Sequence, residues 1–536
     1  MTKLALLALL AFAAPLGASA QDHRLADAAM NGDLVAVRAL LADRQDVNAA
    51  QGDGSTALHW AAYSGNVEMV RLLLERKADL QVNTRLGALT PLMLAARNGH
   101  TNVIRLLLDG GDKAATANAN GTTVLMLAAA AGKGDAVSLL VDRGADVNAR
   151  DVTNGQTALM FAAAQGRIDA IEALIARHAD PNIATKVSPI VSMGERYKAQ
   201  TNGKGTREIT SEGRSSDVKS MGGMTALMFA AREGHLDAVR ALVAAGADLN
   251  KVNESDEVSV LTLAIVNGRF DVAAFLLDHG ANPKLASKSG LTPLYATVDA
   301  QWPERTWYPP ANVTEEKTTY LALLKALLDK GADANARLAR KPWYRTFHGD
   351  WADPTGATAF WLAAKANDVA AMTILVAGGA NPSIPSARGV TPLQLAAGFG
   401  LEPQVSNFAP GARLDAVKYL VEACGADVNA RDAQGYTPLH GAALAANHDV
   451  ILYLVAMGAD VRAKAANVFG GEGEADKKAE AATGDTVADM ANGPRAHNMQ
   501  FPETVDLLMQ LGSENSDNCR YATCVIRTLP SAKPKK

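Results

Sequence analysis

From Thr56 onward one pattern of apolar and polar positions recurs: a Thr, an apolar run around an Ala-Ala pair, a Gly, then a second stretch with apolar residues at helical spacing. TALHWAAYSGNVEMVRLLLERKADLQVN begins at Thr56, TPLMLAARNGHTNVIRLLLDGG at Thr90, TVLMLAAAAGKGDAVSLLVDRGADVN at Thr123 and TALMFAAAQGRIDAIEALIARHADPN at Thr157, with starts 34, 33 and 34 residues apart. The pattern resumes at Thr225, Ser259, Thr292, Thr358, Thr391 and Thr437, with degenerate ends at Leu25 and Thr486, which makes twelve units. Each unit predicts a pair of short helices that cannot bury its apolar face alone, so neighbours must stack.

Every position has a physical job. Thr caps the first helix, and Pro91, Pro293, Pro392 and Pro438 sit where a preset φ suits the first helical residue. The Ala-Ala pair allows close approach, and Gly at 65, 99, 132 and 166 ends the helix in a left-handed turn. Val103, Ile104, Leu106 and Leu107 exemplify the apolar stripe of the second helix. Gly-Ala-Asp-Val-Asn, at 144–148 and 425–429, closes that helix, and a polar finger such as ARDAQG at 430–435 leads to the next Thr.

This pattern resembles the ankyrin repeat family over residues 22–513. The resemblance implies an all-α solenoid of about twelve helix-turn-helix units, each packed on its neighbours, with fingers and inner helices lining a concave surface that binds another protein. Function then belongs to that surface rather than to the repeat. In the family, His at the position of His59 and His440 ties neighbouring repeats together.

Long insertions interrupt the period. Residues 186–223, rich in Ser, Gly and charge, lack both the Ala-Ala-x-x-Gly signature and a helical stripe, and read as a disordered finger extension; a second polar insertion spans 465–483. These divide the repeats into an N-terminal set at 22–185 and a C-terminal set at 224–464, followed by a degenerate capping repeat at 484–513 and a tail at 514–536. Insertions at 301–317 and 338–356 are different, holding four of the six tryptophans, and LEPQVSNFAPGA at 401–412 splits a further unit. PWYRTFHGDW, at 342–351, places Trp343, Tyr344, Phe347 and Trp351 within ten residues. Those rings either fold back as a satellite core or form an exposed aromatic patch for a partner, with small-ligand or glycan stacking on the tryptophans as the rival use.

Groove positions sharpen this expectation. Just before the Thr and near the end of the first helix, the early units carry mostly polar residues, including Ser55, Tyr63, Ser64, Arg97, Asn98 and Gln165. Later units carry Val258, Leu291, Val390, Phe399, Tyr436 and Leu444 at the same places, and Trp361 fills the usual His slot. The expected partner surface therefore combines Trp343, Tyr344, Phe347, Trp351, Trp361, Val390, Phe399, Tyr436 and Leu444, with Tyr63 as an early outlier.

MTKLALLALLAFAAPLGASA at 1–20 joins one Lys, a short apolar run and an Ala18-Ser19-Ala20 exit, which reads as a secretory signal cleaved before Gln21 and places the protein in the periplasm or outside the cell. No apolar run is long enough for a membrane span. A net charge of −4 offers no electrostatic footprint for nucleic acid. The monomer is the expected state. Of three cysteines, Cys519 and Cys524 are spaced to close a small disulfide loop in an oxidising compartment, leaving Cys424 unpaired. No catalytic motif, metal set or cofactor signature appears, so no cofactor and no enzyme activity are expected; His348 and Asp350, two apart, have no third ligand.

Overall fold

The computed structural model describes residues 22–190, 220–303, 313–342, 344, 352–400, 407–409, 411, 413–465, 484–492 and 501–515. The signal at 1–20, residues 191–219 of the first insertion, most of the 465–483 insertion, and Cys519 and Cys524 lie outside them. The chain divides into two compact units, Met1–Asp180 and Pro181–Lys536.

The first unit holds five helix pairs: α1 (Arg24–Met30) with α2 (Leu34–Ala42), α3 (Ala57–Ser64) with α4 (Val67–Glu75), α5 (Pro91–Arg97) with α6 (Thr101–Asp109), α7 (Val124–Ala131) with α8 (Gly134–Asp142), and α9 (Ala158–Ala164) with α10 (Ile168–Ile175). The second holds seven: α11 (Ala226–Glu233) with α12 (Leu236–Ala244), α13 (Val260–Val266) with α14 (Phe270–Asp278), α15 (Pro293–Gln301) with α16 (Tyr320–Asp329), α17 (Ala359–Lys365) with α18 (Val369–Ala377), α19 (Pro392–Ala397) with α20 (Arg413–Lys418), α21 (Pro438–Leu444) with α22 (His448–Ala456), and α23 (Val487–Ala491) with α24 (Pro502–Leu511). Among the described residues, five pairs and seven pairs match the twelve repeats read from the sequence. A π-helical turn, Tyr419–Ala423, prolongs α20.

Helices this short are marginal in isolation and depend on packing. First helices stack on first helices within each unit, α3 on α5 on α7 on α9 and α17 on α19 on α21, while each second helix backs its own first helix. Leu58, Ala61, Ala62, Val70 and Leu73 are fully buried in this way, and each buried Leu contributes on the order of 2 kcal/mol. Thr90, Thr225 and Thr391 cap by accepting the amide of the third helical residue at 3.2–3.3 Å.

Two ladders run between repeats. The Asn of Gly-Ala-Asp-x-Asn does more than turn the chain: Asn48 and Asn148 in the first unit, and Asn250, Asn335 and Asn429 in the second, accept the amide of the residue at the Asp position one repeat on (Asp79, Asp180, Asn282, Asn381 and Asp460) at 2.7–2.9 Å. Fingers bond finger to finger through backbone, as in Arg85 N to Asp53 O, Val152 N to Asn120 O, Ala387 N to Thr355 O and Ala433 N to Arg388 O. The 186–223 insertion leaves its finger on an ordered stem. Strand β1 (Ser188–Pro189) pairs antiparallel with β2 (Ser220–Met221), and Thr185 N bonds Met224 O.

Candidate partner-binding face

The third residue after the capping Thr bridges repeats, and four side chains do so in one geometry. His59 Nδ1 accepts the Thr56 amide at 3.1 Å, leaving the proton on Nε2, which lies 3.1 Å from Leu89 O. His440 repeats this with the Thr437 amide and Asp485 O. Gln394 reproduces both bonds: its Oε1 accepts the Thr391 amide and its Nε2 donates to Tyr436 O at 2.7 Å. Trp361 keeps only the second, Nε1 donating to Val390 O at 2.8 Å. The accepted carbonyl always precedes the next Thr. Burial drives both histidine pKa values down, His440 to about 4, because a charged ring would be desolvated and its Nδ1 could no longer accept the Thr amide.

This placement corrects four of the ten residues of the expected partner surface. Trp361 and Tyr436 are wholly buried, and Val390 and Phe399 are 3% exposed, so these four form repeat-to-repeat joints rather than a groove lining. Phe399 stacks on Tyr436 with centroids 5.6 Å apart. The Tyr436 hydroxyl donates to Asp485 at 3.0 Å. Leu444 and Tyr344 are half-buried. Trp343, Phe347 and Trp351 lie outside the described residues. Cys424 is a free thiol.

The described ends of the aromatic insertions meet around α17–α19. Asp368, the cap of α18, accepts the Ala371 amide and, on its other oxygen, Trp302 Nε1 at 2.8 Å and the Tyr320 hydroxyl at 2.9 Å. Burial with that carboxylate alongside pushes the Tyr320 phenol up. Asn407 donates to Pro303 O, Ala409 N bonds Ala366 O, and a side chain on Gly400 would touch Ala352. Arg413 donates to the carbonyls of Leu395 and Ala396 at the end of α19, and burial lowers its pKa to about 10. Consequently α17 and α15 are buried along their length apart from Lys365 and Gln301, and α19 throughout. In α21 the groove position is Gly441, on which a side chain would meet Phe399 N at 2.7 Å.

The first unit is arranged differently. The fourth residue after each capping Thr is Trp60, Leu94, Leu127 and Phe161 on the stacked helices α3, α5, α7 and α9; Trp60, Leu127 and Phe161 are half-buried and Leu94 is 8% exposed. Trp60 is fixed by a 2.8 Å bond to Gln51, which also bonds Asp27, and meets Tyr63 edge to face at 5.9 Å. Tyr63 is 45% exposed and Met30, at the end of α1, 48%. These fourth positions lie outside the partner surface expected from the sequence, which rests on the positions before the Thr and at the helix end, although the series Trp, Leu, Leu, Phe recurs in register in TALHW, TPLML, TVLML and TALMF.

Among the described residues no group of three or more His, Cys, Asp or Glu side chains is placed to hold a metal, and no helix is long and apolar enough to cross a membrane. A family profile described as ankyrin repeats (3 copies) matches residues 25–117, 77–151, 110–185 and 200–299, and one described as ankyrin repeats (many copies) matches 406–455. The chain is an ankyrin repeat protein. Relatives include alpha-latrocrustotoxin-Lt1a of Latrodectus tredecimguttatus, 38% identical over 21% of this chain and 7% of that protein. A putative palmitoyltransferase, ZDHHC13, of Danio rerio is 28% identical over 42% of this chain and 28% of its own length, and human inversin 32% identical over 44% and 18%. This ankyrin chain thus spans less than a third of each of these relatives. Such repeats are interaction modules, and they supply this protein with surfaces for protein partners.

Proposed function

We propose that the protein is an exported, non-enzymatic scaffold that binds a protein partner along the inner-helix face of its first unit. One observation carries the reading: an in-register apolar series on four successive inner helices leaves Trp60, Leu127 and Phe161 partly accessible beside exposed Tyr63, while α15, α17 and α19 of the second unit are buried apart from Gln301 and Lys365. Rigid aromatic rings held by a neighbouring hydrogen bond make efficient anchors, since little rotamer entropy is lost on binding. Export is supported by the apolar run and the Ala-Ser-Ala exit within residues 1–20, the pattern of a secretory signal whose removal would leave the protein in the periplasm or outside the cell.

Photocrosslinking tests the face. A benzophenone side chain at Tyr63 should capture a discrete protein in native extracts, and the same group at Val35, which is 79% exposed on the outer helix α2, should not. Equal capture at both places, or capture at Val35 alone, contradicts the reading.

A further inference from the structure

Four exposed cations stand around the first unit's stripe. Arg97 ends α5 on the inner face, Arg85 stands on the finger that leads into α5, and Lys133 and Arg167 follow the Gly residues that end α7 and α9; all four are exposed. None of them has a carboxylate partner among the described residues, whereas outer-helix arginines pair across repeats, Arg143 with Asp109 at 2.8 Å and Arg177 with Asp142 at 3.0 Å. Side chains of these loops are also held in place. Arg167 Nε donates to Ala130 O at 3.2 Å and His100 Nε2 lies 3.0 Å from Tyr63 O, each reaching back to the preceding inner helix. Their stems cross the Gly of that helix: a side chain on Gly132 would meet Arg167 Cδ at 2.8 Å, and one on Gly99 would meet Lys133 Cγ at 2.6 Å. Of the carboxylates nearby, Asp27 is engaged by Gln51, Asp53 by Ser55 and Asp151 by the amides of Asn154 and Gln156, while exposed Asp135 and Asp169 lie in the first turns of the outer helices α8 and α10.

From this charge complementarity we infer that the face takes an acidic protein segment, with apolar side chains on the Trp60–Phe161 stripe and carboxylates against Arg85, Arg97, Lys133 and Arg167. The inference rests on the proposed function and adds the chemistry of the partner. The net charge of the whole chain, −4, makes a cationic face a local property. Opposed charge at a rim sets encounter rate and specificity, while buried apolar anchors set the lifetime.

A random-peptide library selected on the full-length protein tests it. Selected peptides should be enriched in Asp and Glu interspersed with large apolar residues. Their affinity should fall about tenfold or more in Arg97→Glu with Lys133→Glu, and with NaCl raised from about 50 to about 300 mM. It should fall about thirtyfold in Trp60→Ala. The substituted charges are exposed, so an unchanged circular dichroism spectrum and melting curve verify the fold. Peptides that need Trp60 but are neutral or basic, or that bind independently of salt, overturn this inference and leave the proposed face standing. Peptides indifferent to Trp60→Ala and Phe161→Ala, or no enrichment at all, count against both. An oligonucleotide that outcompetes the acidic peptides, or self-association abolished by Trp60→Ala, assigns the face to nucleic acid or to a second copy and overturns the inference.

Discussion

At the scale of single residues, the joint between repeats shows what a slot can use: a donor to the carbonyl preceding the next Thr in His59, His440, Gln394 and Trp361, and in all but Trp361 an acceptor for the Thr amide as well. The role of His59 and His440 was readable because their signature is local. Trp361 and Gln394 were not readable as equivalents, since only the structure shows the shared carbonyl; a Trp in a polar slot looks like an anchor for a partner. Gln394 makes both bonds, so His440→Gln should keep stability within about 1 kcal/mol, whereas His440→Ala leaves buried groups unpaired and should cost about 2–4 kcal/mol by denaturant titration. The folded pKa of His440, about 4, lies below its ordinary 6.5, so the unfolded chain binds the proton first as pH falls. Its contribution is complete above pH 6.5 and lost between there and about 4. Melting temperature measured across pH 4–7 should therefore fall less steeply in His440→Gln than in the unaltered protein.

At the scale of elements, the period, the Thr caps, the Gly turns and the twelve pairs were all legible, because helix capping and apolar spacing are local and repeat twelve times. The insertions were legible as departures but not in their destinations. Nothing near Trp302 in sequence marks Asp368, 66 residues away, as its partner; at its own site Asp368 looks like any helix cap. Removing it strips a cap and two donors of their acceptor, and Asp368→Ala should cost about 3 kcal/mol and alter the fluorescence of Trp302. Gly441 is a second element-level test. With Phe399 N 2.7 Å and Gln394 O 2.9 Å from where its side chain would begin, Gly441→Ala must push α21 from the preceding loop, at about 1–3 kcal/mol. The apolar face at positions such as Val390 and Tyr436 was misplaced for one physical reason: apolar character alone does not distinguish a groove lining from the joint beneath it.

At the scale of the molecule, stability in a stack of repeats is a sum of nearest-neighbour terms. Gly441→Ala should accordingly raise amide exchange across 392–456 and leave 57–175 as protected as before, a comparison that hydrogen-exchange mass spectrometry makes directly. The same technique's intact-mass arm tests export, for which the native protein should begin at Gln21. The most direct test of the central claim, that partners bind the first unit's inner-helix face, compares two double variants by quantitative crosslinked capture from native extract. Trp60→Ala with Tyr63→Ala should lower capture at least thirtyfold with an unchanged melting temperature, and Trp343→Ala with Trp351→Ala should leave capture intact. Capture that survives the first pair and disappears with the second would contradict the account and return the partner to the aromatic insertions.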